Sequence, residues 1–441
     1  MTSVVERFAN FAQGQRGKPL ALEVLHHAKR AVIDWHAALY PGSVVPPATL
    51  LERALAEEIG IGGSRLADGR PATVRAAALI NGAAAHTAEV DDIFREGIYH
   101  PGAPTIAAAL AVAQARKVTG EAFLRAVVVG YEISTRIALA MGRKHYAFWH
   151  NTGTIGSFGA ASAAAELLGL DAARFAHALA TAATFAAGLQ QAFRSDSMSK
   201  PMHAGHAAEA GVTAALAAEQ GVTGALDIVE GEAGFGKAMG DGPDWDRALS
   251  TLGRDFHICI MTFKNHACCG HAFAAIDGAL ALKAKMGVAA DDIASIRVGG
   301  YSATLEVAGI PEPATAAEAR FSTPYLVATA LTHGSVRLAA FEPGRLENAQ
   351  TRSLMRRVEL ALDPVVDAAF PAQRSARIAI EARDGRRGEH FQATRKGDPD
   401  LPFSDAELEG KYLELAAPVI GEPKARALLG KLWKLEREPR L

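Results

Sequence analysis

Residues 148–211 constrain this chain more than any other stretch. The segment opens FWHNTGTIGSFGAASAAAELLGL and closes SDSMSKPMHAGHAAEAG. Glycine and alanine dominate it, so backbones in this region can approach closely and polar side chains at helix ends face a confined space. Gly153, Gly156 and Gly159 recur every third residue and lay one bare strip along a helix start. No strand precedes them, and neither a GKS/T nor a GxGxxG pattern is present, so the strip is a close-packing or anion-approach device and not a nucleotide loop. His150, Thr152, Thr154, Lys200, His203 and His206 are set into this apolar background. Histidines and a lysine in such a setting can bind carboxylates and move protons. A packed pair of Ala-rich helices with satisfied histidines would carry the same residues.

The chain has 441 residues, too many for one core, and half of them are hydrophobic, so two domains are expected. Lys and Arg number 46 against 48 Asp and Glu, a balance that argues against a nucleic-acid or polybasic membrane surface. No apolar run approaches the roughly 20 residues of a membrane span. The start, MTSVVERFANFAQ, has no basic patch ahead of an apolar core, so a cytoplasmic enzyme is expected. Cys259, Cys268 and Cys269 are the three cysteines. Their spacing suits neither a disulfide framework nor an iron–sulfur cluster, so dehydration chemistry here would be metal-free acid–base work.

Helical periodicity is expected over 19–40, ended by Pro41-Gly42, then over 47–60, with a Gly-rich turn region at 61–72 and a buried Ala-rich helix from Ala72 to Glu89. That helix runs into Glu89, Asp91 and Asp92, followed by His100-Pro101-Gly102 and another helix from Pro104. Carboxylates beside a loop can orient a histidine; helix-end charges with a turn histidine are the plainer alternative. Helices continue over 121–139 and 171–187. Residues 194–200 read as a polar loop, and Pro201 opens the next helix. Lys200, with Ser197 and Ser199 at that helix start, makes a credible carboxylate site. Gly-rich turns fill 219–245, and Lys264, His266 and His271 surround Cys268 and Cys269. Strand alternation over 293–307, a helix at 320–333 and three later strand-like runs make this region α+β. The tail is helical again and opens on the capping box Ser404/Glu407, so the second domain reads as an insertion in the first.

Several stretches together resemble one family: PLALEVLHHAKRAVIDWHAAL, NGAAAHTAEVDDIFREGIYHPGAP, GYEISTRIALAMG, WHNTGTIGSFGAASAAAELLGL, SMSKPMHAGHAAEAGV, FKNHACCGHAFAAID and EARFSTPYLVATAL. In this order they are similar to the MmgE/PrpD family, which includes 2-methylcitrate dehydratase, cis-aconitate decarboxylase and iminodisuccinate epimerase. The resemblance implies a mainly α fold: a large all-helical domain built from both chain ends (1–265 and 401–441) and a smaller inserted α+β lid domain (266–400). It also implies a homodimer, a pocket between the domains and no required cofactor or metal. Its pocket residues fall here on Glu89, Asp91, Asp92, His100, His150, Lys200, His203 and Lys264. The chain departs from the family pattern in three places. It reads E-V-D-D where relatives have D-F-D-D, His150-Asn151-Thr152 where they have H-P-T, and Lys264-Asn265-His266-Ala267-Cys268-Cys269 where dehydratase-like members have K-P-Y-P-C-C. The decarboxylase carries a histidine at the position of Cys269, which disfavours that activity.

The expected function is a metal-independent dehydratase acting on a small di- or tricarboxylate. Lys200, Lys264 and His203, with Glu89 and Thr152, would hold the substrate. His150 or His100 would take the proton α to a carboxylate, the other would protonate the leaving hydroxyl, and Asp91 or Asp92 would orient His100. An epimerase or a decarboxylase using the same proton transfer is the alternative, followed by a non-enzymatic carboxylate-binding protein. A zinc hydrolase is remote, because His203 and His206 sit three apart without the Glu of the usual pattern.

Overall fold

The computed structural model describes residues 2–193 and 197–441; Arg194, Ser195 and Asp196 of the expected polar loop lie outside the described residues. The protein is mainly α, with 59% of it helical. The chain divides into two compact units, Met1–Thr262 with Ser404–Leu441, and Phe263–Phe403. Lys264 therefore belongs to the second unit.

The first unit is a set of helices packed at close range. Its central members are Val74–Thr87, Gly102–Arg116, Gly120–His145, Gly156–Leu167 and Ser199–Glu219. Their glycines show why small residues recur. A Cβ on Gly205 would lie 2.2 Å from the Leu79 carbonyl oxygen, and one on Gly211 would lie 2.4 Å from the Ala161 nitrogen. A Cβ on Gly156 would meet Pro104 at 2.7 Å, and one on Gly159 would meet the Thr105 hydroxyl at 2.5 Å. Gly156 and Gly159 thus form a helix-packing surface, while a Cβ on Gly153 would meet the carbonyl oxygen of Ala187, in a non-helical segment, at 2.4 Å. Gly205→Ala should push the Val74–Thr87 and Ser199–Glu219 helices apart and cost about 1–3 kcal/mol. Thermal unfolding of the variant measures this, and an unchanged midpoint would mean that the contact yields freely.

The helix Asp405–Ile420, the first of two in the returning tail, belongs to this unit and opens on the Ser404/Glu407 capping box. It packs on Leu22–Ser43 through one buried ion pair: Lys411 Nζ donates to Asp34 Oδ1 at 2.6 Å and to the Val90 carbonyl at 2.6 Å.

Local expectations fail at identifiable points. The helix expected to stop at Pro41-Gly42 runs from Leu22 to Ser43 with Pro41 inside its last turn. Proline there removes one N–H, and so few residues follow it that the helix is not broken. The Gly-rich region at 61–72 is a short antiparallel hairpin, Ile59–Arg65 with Pro71–Ala72, so this unit is not wholly helical. The helix placed at Pro201 starts at Ser199, with Lys200 in its first turn.

The second unit holds a four-stranded sheet in the order Val358–Leu362, Ile293–Gly300, Ala376–Ala382, Arg387–Gln392; the first pair is parallel and the others antiparallel. The helices Phe273–Met286 and Thr323–His333 belong to the same unit. The strand expected to reach 307 ends at Gly300, and Ser302–Ala308 is helical. Tyr301, Ala303, Leu305 and Val307 alternate, while Tyr301, Leu305 and Ala308 also fall at helical spacing, and a run this short leaves the choice to packing.

Candidate active site

The Val74–Thr87 helix ends at a buried histidine. His86 lies in its last turn, and the chain then turns sharply: Glu89 has φ +58°, a left-handed conformation uncommon for a non-glycine residue. This bend delivers Asp91 back against the helix end. Asp91 Oδ2 accepts from His86 Nδ1 at 2.7 Å and lies 3.1 Å from His100 Nδ1, so one carboxylate oxygen faces two histidines. Asp92 is engaged differently. It accepts from the Tyr131 hydroxyl at 2.7 Å and from the Gly102 N–H at 3.0 Å, fixing the start of the Gly102–Arg116 helix. Of the two aspartates expected to orient His100, Asp91 is the one beside it.

His150 precedes the short helix Asn151–Thr154, and its backbone N–H donates to the Gly188 carbonyl at 2.9 Å. Its ring stacks on His86 with centroids 5.4 Å apart, and its Nδ1 lies 3.0 Å from His203 Nδ1. His86 and His100 are edge-to-face at 4.8 Å. Four imidazoles therefore form one contiguous cluster around Asp91. Two residues after His150, Thr152 Oγ1 accepts from the His100 N–H at 3.3 Å, which ties the two histidine segments together. Lys200 forms an ion pair with Glu89 at the edge of the cluster. Both were expected to hold substrate; here they hold each other. His203 also lines an open cleft of about 860 Å³ with Leu79, Gly188, Leu189, Ser199 and Met202.

Burial sets the protonation states. It pushes His86 down to about 4, with Asp91 opposing the shift, and brings His203 to about 4 as well. His150 is held well below the usual histidine value by burial and by the neighbouring rings of His86, His203 and His100. Burial alone would raise Asp91, but the two histidines on its oxygen outweigh it and the carboxyl lies well below its usual range. Asp92 is pushed up to about 8 by burial and by Asp34, despite the hydrogen bond from Tyr131. The site at neutral pH thus has an ionised Asp91 against a neutral His86, with neutral His150 stacked on His86 and neutral His203 beyond it. With His86 donating from Nδ1, its Nε2 carries a lone pair; that atom and Asp91 Oδ1 are buried without a hydrogen-bond partner among the described residues.

Ligand atoms of His86, Asp91 and His100 lie within 4.8 Å of one another, a spacing open to a metal ion as well as to a proton network. The contacts among these same atoms are already those of a carboxylate orienting imidazoles, an arrangement suited to acid–base chemistry.

Two family models match the chain: the MmgE/PrpD N-terminal domain over residues 6–248 and the MmgE/PrpD C-terminal domain over residues 266–435. The chain belongs to the MmgE/PrpD family. It is 28% identical to the cis-aconitate decarboxylase-like protein oryM of Aspergillus oryzae, over 98% of this chain and 95% of that one. It is 25% identical to the cis-aconitate decarboxylase of Mus musculus, over 99% of this chain and 91% of that one, and 25% identical to the one of Homo sapiens, over 99% and 92%. The two cis-aconitate decarboxylases are enzymes of the lyase kind.

In this MmgE/PrpD protein the remaining candidates are accounted for locally. His206 is exposed and donates to the Phe185 carbonyl at 3.2 Å. In the second unit, Lys264 is buried, and His266 Nε2 donates to Asp277 Oδ1 at 2.9 Å. Burial pushes the Cys268 and Cys269 thiols up, so neither is a ready nucleophile. His86 is the member of the cluster that sequence reasoning passed over. Its signal was present in AHTAEVDD, a histidine closing a buried helix five residues ahead of Asp91.

Proposed function

We propose that this MmgE/PrpD protein is a lyase that removes water from a small di- or tricarboxylate by proton transfer at the carbon next to a carboxylate. The observation that carries this reading is the imidazole cluster around Asp91, with His150 buried and neutral. A neutral imidazole with lowered proton affinity is a base that water does not pre-empt. His150 takes the α proton, and His203, 3.0 Å away, shares the resulting charge. His100, 3.1 Å from the Asp91 carboxylate that orients it, protonates the departing hydroxyl as the C–O bond breaks. Lys200 exchanges Glu89 for a substrate carboxylate. The carboxylate-binding role expected for Lys264, the homodimer and the cytoplasmic location belong to the same proposal, and the chemistry needs no cofactor.

Decarboxylation is the second reading, favoured by the relatives' names and by their coverage of nearly the whole chain. The same acid would then protonate carbon as a C–C bond releases carbon dioxide. Proton NMR in D₂O on a panel of citrate, 2-methylcitrate, cis-aconitate, malate-like and imino-dicarboxylates separates the cases. Loss of water supports the dehydratase. Loss of carbon dioxide moves the assignment to the second reading, and deuterium exchange without elimination moves it to an epimerase. Silence across the panel overturns all three for these acids.

The pH profile follows from the sign of the His150 shift. A base whose proton affinity is lowered stays competent until the pH falls through its own value, well below the ordinary 6.5. With the substrate so found, kcat/KM should not decline on the acid side until well under about pH 6. An acid limb centred near 6.5 would show that the working base is not His150.

A further inference from the structure

Away from the histidine cluster, the first unit brings together three side chains that the proposed reaction does not use. Glu23 and His27 stand one turn apart at the start of the Leu22–Ser43 helix, on one face. The 3-10 turn His257–Ile260 sets Cys259 against them. A carboxylate oxygen, a ring nitrogen and the sulfur all lie within 4.8 Å of one another. None of these three side chains takes part in a hydrogen bond among the described residues.

We propose that Glu23, His27 and Cys259 form a binding site for a divalent cation of the zinc type, with water in a fourth position. Tetrahedral zinc holds sulfur at about 2.3 Å and nitrogen or oxygen at about 2.0–2.2 Å. The half-exposed His27 and exposed Glu23 need only small side-chain rotations to close on such a centre. The donor set also suits the ion: imidazole and thiolate select zinc over calcium or magnesium, which want oxygen alone. Burial and Arg30 lower His27, so its ring is neutral and has a lone pair to give. Arg30 would repel a cation, but its own charge is paired with Asp405. Cys259, pushed up to about 11 by burial and by Glu23, is a thiol before binding. The S–H bond breaks with its electron pair left on sulfur, the proton leaves to solvent, and the thiolate and carboxylate together balance the charge of the ion.

The site would pin a turn that matters to the rest of the unit. Three residues after Cys259, Thr262 pairs with Ile93 through two backbone hydrogen bonds of 2.8 and 2.9 Å, and His257 stacks on Phe94 at 5.2 Å. The segment so held is the one that carries Asp91 and Asp92.

The test uses the full chain with cobalt(II) as the probe, because a cysteine thiolate bound to cobalt gives a near-ultraviolet charge-transfer band that histidines and carboxylates do not. Wild type and the Cys268→Ser/Cys269→Ser double variant should develop the band at one equivalent of metal, and excess zinc should abolish it. Cys259→Ser should lack it, with basal activity unchanged. Zinc should raise the unfolding temperature of wild type and lose that effect in both Cys259→Ser and His27→Gln. Absence of the band in wild type, its persistence in Cys259→Ser, or an equal zinc shift in both variants would overturn the proposal; the last would place the metal at the active-site histidines.

Discussion

His150→Ala is expected to lower turnover by about 10²–10⁴-fold, the contribution of one positioned acid or base. The chain should still fold. His150 touches its neighbours through a ring stack on His86 and a contact to His203, and the Gly188 carbonyl that positions the segment is bound by its backbone N–H, which the substitution keeps. Circular dichroism and unfolding temperature are measured alongside the rate. A near-wild-type rate with unchanged folding removes His150 from the mechanism. A matching loss in Asp91→Asn would show that the carboxylate works through the histidines it faces, since that variant keeps the shape but removes the charge.

Lys411→Met should be the most destabilising single change described here. Lys411 and Asp34 are each about 1% exposed at the side chain, and burial raises the Asp34 carboxyl even with Lys411 beside it. Removing one partner of a buried pair leaves an uncompensated charge and costs about 3–5 kcal/mol. Lys411 also donates to the Val90 carbonyl, so the segment next to Asp91 loses a tether. The unfolding temperature should fall by about 10 °C, taking a few degrees for each kcal/mol. Asp34→Leu/Lys411→Met, which removes both charges, should recover much of the loss. A single variant with an unchanged midpoint would show that the pair is not worth its burial.

Much of this site was legible residue by residue. The acidic cluster, His100, His150, Lys200 and His203 stand out because reactive side chains are few among so much alanine and glycine. Their partners were less legible. Nothing in the spacing of Asp91 and Asp92 says which one meets His100; they are adjacent on a turn and point their carboxyls to different neighbours, Asp91 to two imidazoles and Asp92 to Tyr131. Glu89 and Lys200, 111 positions apart in the sequence, looked like two independent substrate contacts and are an ion pair. The Ile59–Arg65 hairpin was hidden because its glycines read as a turn, and the helix at Ser302–Ala308 because a short apolar run fits two periods.

What the sequence determined by itself was the family, the helical character, and the small-residue strip that lets helices approach within a backbone's reach. These are local or compositional properties, written in spacing and side-chain size. Only the tertiary structure decided which groups meet: His86 with Asp91, His150 with His203, and Lys411 with Asp34 across 377 positions of chain. It also decided their protonation, because burial and neighbouring charge move a proton affinity by amounts that no one-dimensional pattern encodes.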